Sequence, residues 1–354
     1  MATTLTPAER RWCLVYAAGL AAVTTLPYVL GYASQGALWR FTGFVVGVED
    51  GNSYVAKMLS GTFGAWLFRS PYTTYPQGGI FAFLPYLVLG KLAAPPAVHE
   101  QLVALFHLFR IASIPIAVVA TYRFAARFLP QASWRRWATV LATAGEGLGW
   151  LLLLGGRSWW LGSLALDFYS PETFGFLSFL TLPHLILARA FLLLGLTAYL
   201  DAADAPRSAW RAGGWLAALG LMQPLSILSA WAVIGVHAAI LSLRGRHHWR
   251  EEAWPWLRSG AIAVFISAPW VVYYAIVTTT DSYMQLWTAQ NRILSPALPH
   301  YLLAYGLVLI PALAGIWWVT RKGGQTEWLL VGWVALLPAM AYAPTNLQRR
   351  LPES

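Results

Sequence analysis

The sequence predicts an all-α, polytopic membrane protein: a bundle of about nine transmembrane helices with one large, helix-bearing loop on one face. Three observations predict it. The 354 residues are 58% hydrophobic and only 11% charged, against about 25% charged in a soluble domain. The apolar residues fall in runs of roughly the 20 residues needed to cross a bilayer. The 20 Trp and 16 Tyr gather near the ends of those runs, where amphipathic rings favour the headgroup level. Residues 1–354 read as a single transmembrane domain. A net charge of +10 points to anionic lipid headgroups, not to nucleic acid. The one cysteine, Cys13, excludes an intramolecular disulfide and a multi-cysteine metal site.

The elements follow in order. Residues 1–11 are polar and end Glu9-Arg10-Arg11, and residues 12–32 are the first expected span. No small-residue cleavage site follows it, so a retained helix is expected and not a signal peptide. Residues 33–102 form the large loop. Within it, residues 53–67 have helical spacing, with Tyr54, Met58 and Leu59 on one face. Ser70 to Gly79 is broken by Pro71 and Pro76. Residues 80–93 are apolar but short, and read as a juxtamembrane or re-entrant helix. Spans are expected at 103–122, 138–155, 183–200, 259–278, 300–320 and 328–343. The run 213–243 is too long for one span, and Gln223-Pro224 interrupts it, so it is expected to be a hairpin of two short helices.

Charge fixes the expected sidedness. Arg10, Arg11, Arg123, Arg127, Arg135, Arg136, Arg207, Arg211, Arg244, Arg246, Arg250, Arg258, Arg321 and Lys322 all fall in the short segments on the side of the N-terminus. That is 14 of the 24 basic residues, which makes this side cytoplasmic by the positive-inside rule and places Asp50 outside. The expected outer segments hold Glu49, Asp50, Glu100, Asp167, Glu172 and Asp281. They also hold Arg40, Lys57, Arg69, Lys91, Arg157, Arg292, Arg349 and Arg350. Carboxylates beside arginines under aromatic loops suit a polar, anionic substrate such as a lipid-linked phosphate.

The stretch Val48-Glu49-Asp50-Gly51-Asn52-Ser53-Tyr54 is the strongest candidate for chemistry, because two adjacent acids open a short helix just beyond a span. Asp50, Tyr54, Lys57 and Met58 stack on one helix face. Asp50 has a plain structural alternative as an N-cap. Asp167 and Glu172 have one as solvated loop acids, and Arg349 and Arg350 one as outer-loop charges. Arg110, Glu146 and Arg189 fall inside apolar runs, where charges mark function or pair with one another. His107, His184 and His237 lie on separate spans and read as structural.

Asp50 followed by Tyr54 and Met58, directly after the first span, resembles the outer-loop acidic motif of GT-C glycosyltransferases, the superfamily of the protein O-mannosyltransferases and lipid A aminoarabinose transferases. Tyr75-Pro76-Gln77-Gly78-Gly79 with residues 80–93 resembles their juxtamembrane segment, and Ala218 to Pro224 their broken helices. Asn346 to Pro352 resembles a segment that leads into a further span, so the C-terminal remainder is expected to be missing. The second loop departs from the pattern: it has the separated Asp167 and Glu172 in place of an adjacent acidic pair. The resemblance implies a glycosyltransferase of the plasma (inner) membrane that moves a sugar from a polyprenyl-phosphate donor to an acceptor on the outer face. A carboxylate takes the acceptor's proton, and cations stabilise the leaving phosphate. On this reading Asp50 is the base, assisted by Glu49. Tyr54, Lys57, Asp167, Glu172, Arg292, Arg349 and Arg350 line the substrate. The cofactor is unknown, and a divalent cation on Glu49 is the form it would take. Two other classes fit the same hydropathy: a sugar-lipid transporter or flippase using Arg110, Glu146 and Arg189 at the midplane, and a non-catalytic membrane subunit.

Overall fold

The computed structural model describes residues 5–245, 251 and 253–352. Arg246 and Arg250, which the expected cytoplasmic segment 244–258 includes, lie outside the described residues. Every regular element among the described residues is helical, apart from two isolated β-bridges.

Helix α1 (Pro7–Ser34) begins with a complete capping box: Thr6 accepts from the Glu9 amide, and the Glu9 carboxylate takes the Thr6 amide at 2.9 Å. Helix α4 (Val98–Ala125) runs antiparallel to it. The register is read from three pairs: Tyr122 with Glu9, Arg110 with Thr24, and the tilted contact of the Tyr28 and His107 rings at 4.4 Å. Between them, α2 (Val48–Thr62) and α3 (Leu84–Gly90) occupy the far end of the bundle. These two helices touch backbone to backbone. A Cβ on Gly61 would collide with the Leu87 carbonyl, and one on Gly90 with the Met58 carbonyl. The contact therefore depends on both glycines, as close helix crossings in membranes do.

Helices α8 (Pro183–Asp201), α9 (Ser208–Met222), α10 (Leu225–Arg244), α11 (Trp254–Thr280) and α15 (Trp328–Ala341) enclose the main core. Leu196, Tyr199, Leu216, Ile227, Ala230, Ala263 and Leu329 meet there. The chain reverses at Gln223-Pro224. Along α9, Gly213 faces Ile266 and Gly220 faces Trp270. Along α10 the order inverts, with Trp231 bonded to Ser267 and Ile234 facing Gly260. The two arms are unequal, because α10 has 20 residues and is itself of membrane-crossing length.

The expected nine spans are corrected. Among the described residues five helices are long and apolar enough to cross a membrane: α1, α4, α8, α10 and α11. A sixth is reached only if α13 (Leu298–Tyr305) and α14 (Leu309–Lys322), which meet at 88°, count as one. Helix α5 (Ala132–Ala144) has 13 residues, α9 has 15 and α15 has 14. At 1.5 Å per residue such helices cover about 20 Å of the roughly 30 Å hydrocarbon layer. The expected span 138–155 fails because the chain leaves the helix at Gly145, where a Cβ would strike the Leu141 carbonyl, and resumes only as the five-residue α6 (Trp150–Leu154).

The charged side chains separate into two ends. Glu9 binds Arg135 at 2.7 Å and Asp201 binds Arg127 at 3.1 Å at the end where α1 starts. Asp50, Glu172 and Arg350 gather at the other.

Candidate active site

Helix α2 sets the position of Asp50. Its N-cap is Gly47, in the left-handed region at φ +61°, which suits glycine. Asp50 is therefore not the cap, and it makes no capping bond. It stands in the first turn, where the helix dipole favours a carboxylate. Among the described residues its carboxylate accepts no hydrogen bond. Gly51 lets the Phe44 ring lie against the helix; a Cβ would overlap it. Glu49 is exposed.

Asp50 faces a cavity of about 220 Å³ lined by Phe44, Gly47, Tyr169, Pro171, Leu177 and Thr181 among others. Asp50 is open to solvent on one side, and desolvation by the protein on the other raises its pKa; Arg350 and Lys57 pull it back, and Glu172 and Glu49 push it up. The acid thus ionises against its surroundings and holds a proton more readily than a free aspartate.

One turn on, Tyr54 and Lys57 enter the protein. Lys57 is buried and donates to the Ser53 hydroxyl at 2.6 Å. Its ammonium lies 4.6 Å from the Tyr54 ring and 4.5 Å from that of Phe83, a cation–π cage. Burial pushes its pKa down to about 8, with Asp50 opposing the shift. Tyr54 meets His184 Nε2 at 3.3 Å, and Tyr86 meets His184 Nδ1 at 2.7 Å. His184 thereby ties α2, α3 and α8 together directly behind Asp50. In the sequence it is one histidine among several on apolar runs, and its only legible signal is its position as the second residue after Leu182.

The second wall of the cavity comes from the loop after α6, through Phe168, Tyr169 and Pro171, and the C-terminal segment packs against that loop. Glu172 is buried, and its Oε1 lies 2.7 Å from Arg350 Nε. The Nε–H is not aimed along that line, and Glu172 Oε2 has no protein partner, so this is an ion pair without a well-formed hydrogen bond. The neighbouring Arg349 places its guanidinium 4.4 Å over the Tyr169 ring. Backbone pairing holds the segment in place: Ile293 donates to the Asn346 carbonyl at 2.6 Å, and Arg349 donates to Ile293 at 3.2 Å.

The structure thus brings Asp50, Tyr54, Lys57, Glu172, Arg349 and Arg350 to one place. Asp167 is elsewhere: it is buried and accepts the Gly149 amide at 2.9 Å, bracing the loop that follows α5. Arg292 is exposed on the paired strand-like segment, with only its backbone engaged. Arg110 is fully buried and spent on Thr24, Thr25 and the Phe179 carbonyl. The mutual pairing expected of Arg110, Glu146 and Arg189 does not extend to Arg110, while Arg189 is near enough to Glu146 to act on its charge. Glu146 also takes the Leu177 amide at 3.1 Å, and Arg189 also reaches the carbonyls of Ala142, Glu172 and Thr173. His107 binds the Gly43 carbonyl, and His237 lies between Tyr199 and the Gln325 carbonyl. Among the described residues no three His, Cys, Asp or Glu side chains are grouped to hold a metal ion.

By its fold the chain belongs to the class of all-helical proteins with apolar helices of membrane-crossing length. Comparison with models of known families, with curated proteins and with solved structures found no match in any of the three.

Proposed function

We propose that this chain is an integral-membrane glycosyltransferase that moves a sugar from a polyprenyl-phosphate donor to a hydroxyl or amine acceptor. The observation that carries the reading is the Asp50 carboxylate, free of hydrogen bonds among the described residues, on a small cavity, with the Arg350 guanidinium near enough to act on its charge. At about 220 Å³ the cavity lies below the roughly 300–1,000 Å³ of drug-sized sites and suits a single sugar ring.

In the proposed reaction Asp50 takes the proton as the acceptor oxygen or nitrogen attacks the anomeric carbon. The bond from that carbon to the phosphate oxygen breaks, and the phosphate leaves with the electron pair. A positioned base contributes about 10²–10⁴-fold. The raised Asp50 pKa favours proton uptake, since a base works best when its pKa approaches the working pH. Arg350, with Arg349 beside it, receives the developing phosphate charge, for which the guanidinium fork is suited. Tyr54 and Lys57 support Asp50 from its own helix. The orientation belongs to the same proposal: the Asp50 end faces outside the plasma membrane and the Glu9 end faces the cytoplasm, following the basic residues at the latter.

Transfer from a panel of radiolabelled polyprenyl-phosphate sugars by the purified protein tests the activity. Impermeant thiol labelling of single-cysteine variants at positions 50 and 135 tests the orientation. No transfer from any donor, with the lipid moved across the bilayer instead, would replace the enzyme by a flippase. Labelling of position 50 from the cytoplasm would reverse the orientation.

A further inference from the structure

The segment from α6 to Leu164 has no role in the site and is tied to the rest of the fold through Trp160, which meets His300, and Ser163, which meets Tyr169. Most of its exposed side chains are apolar. No residue of α6 is buried, and Leu154 is 77% exposed. Trp150 and Leu153 are also exposed. The chain then turns through Gly155 and Gly156 into a tight hairpin closed by a Trp160–Ser163 bridge. Leu161 and Gly162 at its tip both have positive φ, at 45° and 82°, the geometry of a two-residue hairpin turn. That turn holds Trp159, 65% exposed, and Leu161, 55% exposed, out from the body.

The level of this segment follows from its attachments. Thr143, at the end of α5, bonds to Tyr16 of α1 at 2.8 Å. Tyr16 is nine residues into a helix of membrane-crossing length that starts at Pro7, so about 14 Å along it. Helix α6 begins six residues beyond Ala144, and Leu148 donates to the Leu303 carbonyl, while His300 Nε2 meets the Trp160 carbonyl at 2.8 Å. The segment therefore lies beside the bundle within the layer that α1 crosses. Irregular backbone at that depth is tolerated only where protein covers it. The loop on its inner side meets this condition through Gly149–Asp167 and Leu148–Leu303. Its outer side is mostly apolar side chain, with Arg157 and Ser158 as the exposed polar exceptions.

We infer that α6 and the Trp160–Ser163 hairpin form a re-entrant, lipid-docked element, whose Leu153, Leu154, Trp159 and Leu161 side chains sit among the acyl chains of the bilayer. The occupant is the membrane itself: the element is at bilayer depth, is too short to cross, and combines Trp and Leu with a single Arg, the composition of interfacial anchors. The inference stands apart from the proposed transfer reaction, since it needs no substrate.

Two single-cysteine proteins, Leu154→Cys and Leu161→Cys in a Cys13→Ser background, carry an environment-sensitive fluorophore and are reconstituted in phosphatidylcholine–phosphatidylglycerol nanodiscs. Either position suffices, since both side chains are exposed. Blue-shifted emission, strong quenching by doxyl groups on the acyl chains and little quenching by aqueous iodide are expected. Iodide quenching without a doxyl effect would overturn the inference and make the segment a water-exposed loop. Blue-shifted emission that ignores doxyl lipids and fades on dilution would overturn it in favour of a contact between two copies of the chain.

Discussion

Asp50 and Asp167 are a useful pair. Both are aspartates in segments that the charge pattern assigns to one face, and by residue type they are equal candidates for chemistry. Asp167 has accepted the buried Gly149 amide and is enclosed. Asp50 stands over a cavity, in a helix whose cap is supplied by Gly47, and among the described residues has accepted nothing. An acid that already satisfies a backbone donor is committed to architecture, because releasing that donor strands a buried N–H. An acid held in place by the helix beneath it is available to take a proton. The difference lies in the backbone around each acid.

The largest effect that separates the two is on turnover. Asp50→Asn preserves size and shape and leaves the Gly47 cap untouched, so the protein should fold as before. Transfer should fall by about 10²–10⁴-fold, the contribution of a positioned base. Steady-state assay of the purified variant measures it. Activity within a few-fold of the parent would demote Asp50 to a first-turn dipole partner.

The guanidinium paired with Glu172 gives the next largest effect. Arg350→Lys keeps the charge beside Glu172, which avoids stranding a buried carboxylate, but it loses the planar fork. Donor affinity should weaken about tenfold, equivalent to about 1.4 kcal/mol. Arg292→Ala, on an exposed side chain away from the cavity, should leave donor affinity within about twofold, the scale of a distant surface change. Equilibrium binding of a labelled polyprenyl-phosphate sugar reads both, and equal losses in the two variants would mean that the cavity is not where the phosphate binds.

Much of this was legible in the sequence, and the failures have physical reasons. The membrane class, the acidic turn at residues 48–54, the break at Gln223-Pro224 and the separation of charges between two ends all follow from local composition. The number of full-length spans did not, because hydropathy over residues 138–155 registers apolar character and is blind to the chain leaving the helix at Gly145. Asp-Gly-Asn-Ser suggests Asp50 as a cap, and this fails because the helix starts three residues earlier than that would require, at Val48, with Gly47 as its cap. The Glu172–Arg350 ion pair and the bridging of Tyr54 and Tyr86 by His184 join segments far apart in the chain. No spacing rule reaches contacts of that kind.

The stability of the two acids should differ in the reverse sense to their activity. Asp167→Ala removes the acceptor of the Gly149 amide and should lower stability by about 1–3 kcal/mol, with transfer lost only in proportion to unfolded protein. Asp50→Ala removes no hydrogen bond, only a first-turn charge, for which about 0.3–1 kcal/mol is expected. Denaturation in detergent, monitored by intrinsic fluorescence, ranks the two. A larger loss for Asp50→Ala would show that its carboxylate has a structural duty.

The smallest expected effect concerns Lys57, which sits between the two readings: buried like Asp167, but on the helix of Asp50. Its pKa is pushed from 10.5 to about 8 by burial. Between pH 8 and 10.5 the folded protein has released this proton while the unfolded chain still holds it. The unfolded state then binds more protons, so stability from this group rises with pH across that window and is flat below it. Activity should move the other way. Above about pH 8 the cation beside Asp50 disappears, Asp50 loses an interaction that favours its ionised form, and the phosphate loses a nearby positive charge. Donor affinity should therefore decline gently from pH 7 to 9 in the parent. In Lys57→Met, which keeps the aromatic cage filled, it should be lower at pH 7 and level across the range. The variant's melting temperature should also lack the parent's rise above pH 8. A parent-like alkaline decline in Lys57→Met would assign that limb to another group and leave Lys57 as a packing residue whose charge is incidental to the site.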